Sequence, residues 1–246
     1  MLTRTYIHVP GITEGMERNL WFQGATDWET FLQDPNRWQV SEPYRSALLR
    51  DLEISQEALE DGDHAYFAGR LRVAEHWRAY EEFRQNTAYL DIETDGGTLV
   101  TVIGVYDGHE VHQFVQGENL DEFPDFIREF GMIVTFNGLS FDLPMLGRAF
   151  PSLAIDQLHL DLCPTLRRLG LRGGLKRIEQ TLGIVRDPDL EGMDGWEAVR
   201  LWQAYRAGFN SALETLLRYN REDIVNLKPL ARLAYTRLKE RLCRGL

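Results

Sequence analysis

Two carboxylates lie two residues apart in the segment Asp91-Ile92-Glu93, directly after the apolar residues Tyr89 and Leu90. Because side chains alternate along a β-strand, a strand here would place both carboxylates on one face. Neighbouring buried carboxylates raise each other's pKa values and destabilise a fold unless a cation neutralises them. The pair therefore predicts a site for a hard divalent cation with oxygen ligands, although a turn or a helix cap would also explain an acid-x-acid motif taken alone.

A third carboxylate, Asp142, follows a strand-like run and a polar loop in the segment 134–146. This position at the start of a predicted helix would suit an acid that reaches the same site. Asp142 is equally a candidate N-cap, since Pro144 is a residue that the first turn of a helix tolerates. Asn137-Gly138 is likewise compatible with a simple turn.

The last motif, Tyr219-Asn220-Arg221-Glu222-Asp223, lies in a stretch of helix-forming residues. Residues four apart share one face of a helix, so Tyr219 and Asp223 would point the same way. A surface tyrosine beside a salt-bridging aspartate is the alternative. The three motifs nevertheless occur in order within one domain-sized span, which favours a shared active site over three unrelated explanations.

The motifs Asp-Ile-Glu-Thr, Asn-x3-Phe-Asp-x-Pro-x-Leu and Tyr-x3-Asp resemble the three exonuclease motifs of the DEDD superfamily in its tyrosine subclass, DEDDy. That subclass includes the proofreading domains of family B DNA polymerases. The runs 161–168, 173–176 and 219–227 are similar to the bacterial YprB-type ribonuclease H-like proteins. The resemblance covers residues from about 87 to 235, and the histidine subclass would carry His where this sequence has Arg218.

This resemblance implies a 3'-5' exonuclease that hydrolyses phosphodiester bonds of DNA or RNA with two divalent cations, Mg²⁺ or Mn²⁺. Asp91, Glu93 and Asp223 would ligate one ion, and Asp91 would also contact a second ion whose water shell Asp142 orients. Such paired ions lie about 3.5 to 4 Å apart, and they activate the attacking water and stabilise the leaving oxygen. Tyr219 would position that water, because a phenol with an ordinary pKa of about 10 is a poor general base at neutral pH.

Residues beside these motifs are candidates for binding nucleic acid, with a single-stranded 3' end as the expected substrate. The resemblance implies that Asn137 and Phe141 contact the terminal nucleotide, and core packing is the alternative for Phe141. Five basic residues without an acid between them could follow a phosphate backbone or form a solvated helix face: Arg167, Arg168, Arg172, Lys176 and Arg177. Gly173-Gly174 before a helix could also present N–H groups to a phosphate.

The elements that must hold these residues can be predicted from hydrophobic periodicity and turn signals. Strands at 89–93, 99–106 and 111–115 would form a three-stranded antiparallel meander. The expected segments that follow are a helix at 120–130, a strand at 132–136, a helix at 143–150, a strand at 157–160 and mainly helix thereafter. Asp161 could cap the next helix or lie near the site, and we expect the cap. This order predicts an α/β fold, the ribonuclease H-like mixed sheet of a meander plus parallel strands, flanked by helices.

Residues 1–85 are predicted to form a helical N-terminal segment ahead of a ribonuclease H-like domain at 86–246. The first thirty or so residues, with a turn at Pro10-Gly11, resemble a helix-hairpin-helix module, which binds DNA phosphates through backbone N–H groups. Thr13 replaces the usual second hairpin glycine, and Glu14 is acidic where a cation would help. A degenerate DNA-binding hairpin and a plain packing element are both compatible with this stretch. Amphipathic helices within 45–85 are expected to pack on the following domain.

The net charge of −11 argues against a passive nucleic-acid binder, because phosphate binding depends largely on lysine and arginine. Any nucleic-acid contact must therefore be local or assisted by bound cations. Cys163 and Cys243 lie far apart, so neither a zinc site nor a disulfide framework is expected. We expect a reduced, cytoplasmic protein without a signal peptide or membrane span.

Two other functions are compatible with the same residues. A catalytically silent nucleic-acid-binding or scaffold protein could retain this fold, although all four acids and the tyrosine are present. An endonuclease is a further alternative, since ribonuclease H-like folds also host endonucleases; the tyrosine four residues before the last aspartate favours the exonuclease. Protein partners are not indicated by the sequence.

Overall fold

A mixed five-stranded β-sheet forms the centre of the domain that carries the motifs. The computed structural model describes residues 1–190 and 192–244. Its strands are β1 (Thr87–Thr94), β2 (Val100–Tyr106), β3 (Val111–Val115), β4 (Met132–Thr135) and β5 (Leu158–Asp161). Their order is β3-β2-β1-β4-β5. β2 pairs antiparallel with β1 and β3, whereas β4 pairs parallel with β1 and β5. The predicted meander with added parallel strands is confirmed.

Helices surround this sheet and precede it. The α-helices of the described residues are α1 (Glu14–Gln23), α2 (Trp28–Gln33), α3 (Tyr44–Glu60), α4 (His64–Arg70), α5 (Tyr80–Phe83), α6 (Phe123–Ile127), α7 (Asp142–Ala149), α8 (Leu162–Arg168), α9 (Leu175–Leu182), α10 (Gly195–Arg206) and α11 (Asn210–Leu242). Short 3-10 helices include Val73–Ala79 and Leu120–Glu122. The predicted helix at 120–130 is thus a 3-10 turn followed by the shorter α6. No helix in the described residues is both long and apolar enough to cross a lipid bilayer.

Alternation along β1 divides its side chains between two apolar layers. Leu90 and Ile92 are buried on one face together with Phe123 and Leu146, which lie on α6 and α7. Tyr89 is buried on the other face, in the cluster that contains the second half of α11 and the N-terminal helices. Two-residue periodicity places Asp91 and Glu93 on the same face as Tyr89, so that both acids point toward α11.

The N-terminal residues 1–85 are helical, as expected, and share a hydrophobic core with the sheet. Trp28, Phe67 and Trp77 belong to the same buried cluster as Tyr89 and Met132. The predicted packing of this segment on the following domain is therefore confirmed, whereas a domain boundary at residue 85 stays a prediction.

The turn that resembles a helix-hairpin-helix module lies between a short 3-10 helix at Leu2–Arg4 and α1. Gly11 has a positive φ of 86°, which suits glycine. Thr13 is the N-cap of α1, and its hydroxyl accepts a hydrogen bond from the backbone N–H of Met16 at 3.3 Å. Thr13 therefore has a structural task here, and DNA binding by this turn stays a prediction.

Candidate metal centre and active site

Helix α11 lies close against the sheet beside Asp91 because one strand residue has no side chain. Gly104 of β2 pairs with Asp91 in the antiparallel register. A Cβ added at Gly104 would overlap the side-chain oxygen of Asn220. The Asn220 amide donates long hydrogen bonds of 3.4 Å to the backbone and carboxylate oxygens of Asp91, and its oxygen accepts from Gln113 at 3.0 Å. Asn220 thus fixes α11 on the sheet and brings the neighbouring Tyr219 and Asp223 to the β1 acids.

Three of the predicted acids form one cluster. Ligand oxygens of Asp91, Glu93 and Asp223 all lie within 4.8 Å of one another. Glu93 and Asp223 are each only 7% exposed, and Asp91 is half-buried. Burial is the main cause that raises the pKa of each of these carboxyls, and repulsion from its acidic neighbours raises those of Asp91 and Glu93 further. The chain therefore gathers negative charge that the fold alone does not favour.

Asp142 joins this cluster from the N-terminus of α7. The helix begins at Asp142, and its N-cap position is Phe141, whose side chain makes no capping hydrogen bond in the described structure. The N-cap alternative for Asp142 is therefore wrong. Burial raises the pKa of Asp142 to about 7, while the backbone N–H groups of Asp142 and Ile92 oppose this shift. After burial, repulsion from Asp142 is the largest cause of the raised pKa of Asp91, so the two carboxylates lie near each other.

Asp161 holds the loop that leads to Asp142. It caps α8, as predicted, by accepting from the backbone N–H of Cys163 at 3.0 Å. The same carboxylate accepts from the N–H groups of Asn137 at 2.8 Å and Leu139 at 3.1 Å. The backbone of Asn137 has the left-handed conformation, with φ of 70°, which asparagine tolerates better than most residues. The polar loop of the second motif is thus shaped by the same carboxylate that caps α8.

Two buried oxygens test whether a cation fits this cluster. Glu93 Oε1 and Asp142 Oδ1 are buried without a hydrogen-bond partner among the described residues. Buried acceptors without partners are costly, and buried carboxylates are normally paired or coordinate a metal. Carboxylate oxygens are also the ligands that Mg²⁺ and similar hard cations prefer. Asp91, Glu93 and Asp223 therefore fit a divalent cation, with Asp142 beside it; a second ion stays a prediction.

One arginine compensates part of the acidic cluster. Arg186 follows α9 and donates to Asp223 Oδ1 through Nη2. Its Nε and Nη2 atoms also donate to the two carboxylate oxygens of Glu179 at 2.6 and 2.8 Å, and Asn226 donates to Glu179 at 3.0 Å. These acids hold the pKa of the Arg186 guanidinium above its usual range. Sequence reasoning missed Arg186 and Glu179, because neither belongs to a recognisable motif.

Tyr219 lies beside the carboxylates and contacts a lysine from α9. Lys176 Nζ donates to the Tyr219 hydroxyl oxygen at 2.8 Å and lies 4.4 Å from the ring centroid. Lys176 also donates to the backbone oxygen of Met193. Burial, followed by the neighbouring Asp223 and Glu93, raises the pKa of Tyr219 above its usual range. The phenol is therefore a protonated hydroxyl at neutral pH, as the weak acidity of tyrosine predicts.

The acids open into a cleft of about 520 Å³. Its lining residues are Asp91, Ile92, Glu93, Thr94, Gly96, Phe141, Asp194, Gly195, Trp196, Val199, Tyr219 and Asp223. Phe141 is 43% exposed, so the core-packing alternative for its ring is wrong. Trp196 is 69% exposed and received no role from the sequence, since an isolated tryptophan carries no spacing signal.

The basic run near α8 and α9 does not converge on the cleft. Lys176 reaches Tyr219, whereas Arg168 turns to the N-terminal segment, where it pairs with Glu75 at 3.2 Å and donates to the backbone oxygen of Ala74 at 2.8 Å. Arg167 and Arg177 are exposed, as are Arg172 and Asn137. Nucleic-acid binding by Asn137, Phe141, Arg167, Arg168, Lys176 and Arg177 stays a prediction.

Comparison with known proteins adds two findings. A family model described as the RNase_H superfamily matches residues 88–235. The structure of the family B DNA polymerase from the hyperthermophilic archaeon Pyrobaculum calidifontis aligns over 60% of this chain with a TM-score of 0.51 and 18% sequence identity. The alignment spans 24% of the polymerase chain, and at this identity it shows a shared fold alone. No curated protein matches the sequence.

Proposed function

Since the chain belongs to the RNase_H superfamily, we propose that it is a metal-dependent nuclease, and more narrowly a 3'-5' exonuclease acting on DNA or RNA. One observation carries this proposal: the acids of three separate motifs converge beside Tyr219. Asp91, Glu93 and Asp223 line an open cleft and Asp142 lies near Asp91, and two of the oxygens of this group are buried and unpartnered among the described residues. Within the proposal, the three motifs support the tyrosine subclass of the DEDD superfamily, and the runs 161–168, 173–176 and 219–227 support the YprB type.

Asp91, Glu93 and Asp223 would hold a divalent cation, Mg²⁺ or Mn²⁺, and Asp142 beside Asp91 would orient ligands of that ion or of a second one. When bound, such cations activate water and stabilise negative charge on the reacting phosphoryl oxygens. The carboxylates themselves bring no positive charge to a nucleic acid. Substrate binding at this acidic cluster therefore depends on cations that neutralise the carboxylates. The net charge of −11 on the whole chain makes the same requirement.

Tyr219 has the contacts of an orienting group. Its oxygen accepts from Lys176, so its own O–H proton remains free to be donated into the cleft. A phenol with a raised pKa keeps that proton at neutral pH, so it cannot act as a general base. We assign Tyr219 the positioning of the attacking water or of a phosphate oxygen, and Lys176 the orientation of Tyr219.

Arg186 and Glu179 restrain one of the proposed metal ligands, Asp223. Glu179 is 1% exposed and receives two hydrogen bonds from the Arg186 guanidinium, which fixes the orientation of that planar group. Arg186 then holds one oxygen of Asp223. Asp223 is in this way restrained through one oxygen, which leaves the other available as a ligand.

The test is degradation of 5'-labelled single-stranded DNA and RNA oligonucleotides in Mn²⁺, with EDTA and the Asp91→Ala variant as controls. We expect a ladder that shortens from the 3' end and disappears in EDTA. Asp91→Ala should lower the rate by about 10³-fold or more, because a lost ligand removes several kcal/mol of transition-state stabilisation. Its metal-free stability should be unchanged or higher, because carboxylate repulsion is relieved. Glu214→Ala, which removes an exposed acid of α11, is the matched variant and should retain full activity.

Each other outcome identifies a different error. Retained hydrolysis in Asp91→Ala would overturn the site, and cleavage at internal positions would favour the endonuclease. Intact substrate that is nevertheless bound would favour the catalytically silent nucleic-acid-binding protein.

A further inference from the structure

Trp196 differs from every other tryptophan of the chain. The sequence has six tryptophans, and Trp21, Trp28, Trp38, Trp77 and Trp202 are between 2% and 4% exposed. Trp196 is 69% exposed. Single exposed apolar residues are common on protein surfaces, but tryptophan is rarely left in water and is enriched where proteins bind other molecules. The location of Trp196 therefore decides whether its exposure indicates a binding site.

Trp196 lies at the mouth of the cleft that contains the carboxylates. It is the second residue of α10, and its backbone N–H donates to the N-cap carboxylate of Asp194 at 2.9 Å. Its ring lies over the turn between β1 and β2, where a Cβ added at Gly96 would come within 3.8 Å of a ring carbon. The side chain thus projects from a helix with a fixed start, beside the strand that carries Asp91 and Glu93.

A second exposed ring lines the same cleft from a different element. Phe141 is 43% exposed and directly precedes Asp142 at the start of α7. The cleft is therefore lined by one apolar ring from the N-cap residue of α7 and one from α10, together with Asp91, Glu93 and Asp223. Flat aromatic faces beside a phosphodiester-cleaving site match the faces of nucleobases, which stack on aromatic side chains in single-stranded nucleic acids.

We propose that Trp196, together with Phe141, forms a stacking site for the unpaired bases at the end of a single-stranded nucleic acid. The inference rests on the proposed nuclease function and specifies its substrate class. A base within a duplex is stacked on both faces by its neighbours, so it cannot occupy such a site without unpairing. The site therefore selects single-stranded or frayed ends over blunt duplex ends.

The net charge of the protein favours binding through stacked bases over binding through phosphate contacts. A chain with a net charge of −11 gains little affinity from phosphate contacts. Arg168, the last residue of α8, is already paired with Glu75. Base stacking does not depend on charge and is tolerant of sequence. We expect binding to depend on salt less steeply than in proteins that hold nucleic acid through rows of lysine and arginine.

The experiment measures fluorescence anisotropy of a labelled single-stranded oligonucleotide in Ca²⁺, with either an intact 3' end or abasic sites at its last two positions. Trp196→Ala should weaken binding of the intact oligonucleotide by about 10-fold or more, the range of a lost base stack. The wild type should bind the abasic oligonucleotide with a similar loss, and Trp196→Ala should add little to it. Phe22→Ala, which removes an 80% exposed ring from α1, is the matched control and should bind like the wild type.

The design separates stacking from other roles of the ring. Trp196→Phe should retain most of the affinity and Trp196→Leu should lose it, whereas a role limited to packing over Gly96 would tolerate leucine. Equal losses on the intact and abasic oligonucleotides, or no loss on either, would overturn the stacking site. Wild-type protein that binds the oligonucleotide in Ca²⁺ but does not hydrolyse it in Mn²⁺ would refute the nuclease function and leave the stacking result standing, so the two failures are distinguishable.

Discussion

Arg78 of the N-terminal segment and the cleft carboxylates Glu93 and Asp223 are all buried, yet their charges are neutralised in different ways. Arg78 is 1% exposed and lies between Glu17 and Glu75, with Nη1 2.8 Å from Glu17 and Nε 2.7 Å from Glu75. Glu17 also accepts from the backbone N–H of Tyr6 at 2.7 Å, and Glu75 accepts from the indole of Trp77 at 3.2 Å. The second oxygen of Glu75 pairs with Arg168, so the chain itself neutralises this cluster.

The acidic cluster at the cleft consists of Asp91, Glu93 and Asp223, with Asp142 near Asp91, and it has much less compensation. Arg186 reaches one oxygen of Asp223, and Lys176 is directed at Tyr219 rather than at a carboxylate oxygen. Buried charges that a chain neutralises by itself serve its architecture, whereas a remaining deficit of positive charge requires something from outside. The comparison indicates that the first cluster is structural and that the second one is completed by a ligand.

Breaking the compensated cluster should have the largest effect on stability. Arg78→Met leaves Glu17 and Glu75 buried with much of their pairing lost, so the free energy of unfolding should fall by roughly 3 to 5 kcal/mol. Urea denaturation in EDTA measures this change. The matched variant Arg84→Met breaks an ion pair with Glu81 whose side chains are about half exposed, and it should cost less than about 1 kcal/mol. Similar losses in both variants would contradict the structural role of the Arg78 cluster.

Removing the partial compensation in the cleft should have a smaller effect that a metal reverses. Arg186→Gln leaves Asp223 and Glu179 without their guanidinium partner, so metal-free stability should fall by about 1 to 3 kcal/mol. Saturating Mn²⁺ should then raise the unfolding temperature of the variant more than that of the wild type, because the ion replaces the missing positive charge. Thermal unfolding with and without Mn²⁺ measures both effects.

Arg221→Gln, which removes an exposed charge from the same part of α11, should change neither quantity. An Arg186→Gln variant with unaltered metal-free stability would show that the Arg186 contacts do not offset the acidic cluster.

The features of this structure that depend on local spacing could be predicted from the sequence. The strands, the shared face of Asp91 and Glu93, and the shared helix face of Tyr219 and Asp223 follow from local periodicities of two and four residues, and the structure contains all of them. The cap at Asp161 likewise follows from local sequence. The N-cap alternative for Asp142 is wrong, because the backbone turns into α7 one residue earlier and leaves the carboxylate near Asp91.

Contacts between distant segments were not predictable, because they leave no spacing pattern. Asn220 needs the missing side chain of Gly104, and Arg186 meets Asp223 only after α11 has docked on the sheet. Arg168 forms part of an uninterrupted basic run in the sequence, yet Glu75 of the N-terminal segment pairs with it. Trp196 gains significance only from the cleft that it lines. Single residues of this kind acquire their roles from tertiary packing.

The smallest of the expected effects is a pH dependence of the free energy of unfolding that comes from Asp142. The pKa of Asp142 is raised to about 7 in the fold, whereas an unfolded aspartate titrates near about 3.9. Between these values the folded, metal-free protein holds a proton that the unfolded chain releases, so this group makes the free energy of unfolding fall as pH rises. Asp142→Asn removes the titration, and its stability relative to the wild type should therefore increase from pH 5 to pH 7, by at most about 1.4 kcal/mol per pH unit.

Buried histidines act in the opposite direction over the same range. Burial lowers the pKa of His8 to about 3 and that of His159 to about 4, so their contribution to stability is complete above about pH 6.5 and is lost as pH falls toward these values. Both are present in the wild type and in Asp142→Asn, so the difference between the two proteins cancels their effect. Urea denaturation in EDTA from pH 5 to pH 8 measures that difference, with Asp125→Asn, an exposed acid of α6, as the control expected to show no trend. A flat difference for Asp142→Asn would mean that Asp142 is neutralised within the chain, as Glu17 and Glu75 are, and the contrast between the two clusters would then not extend to this residue.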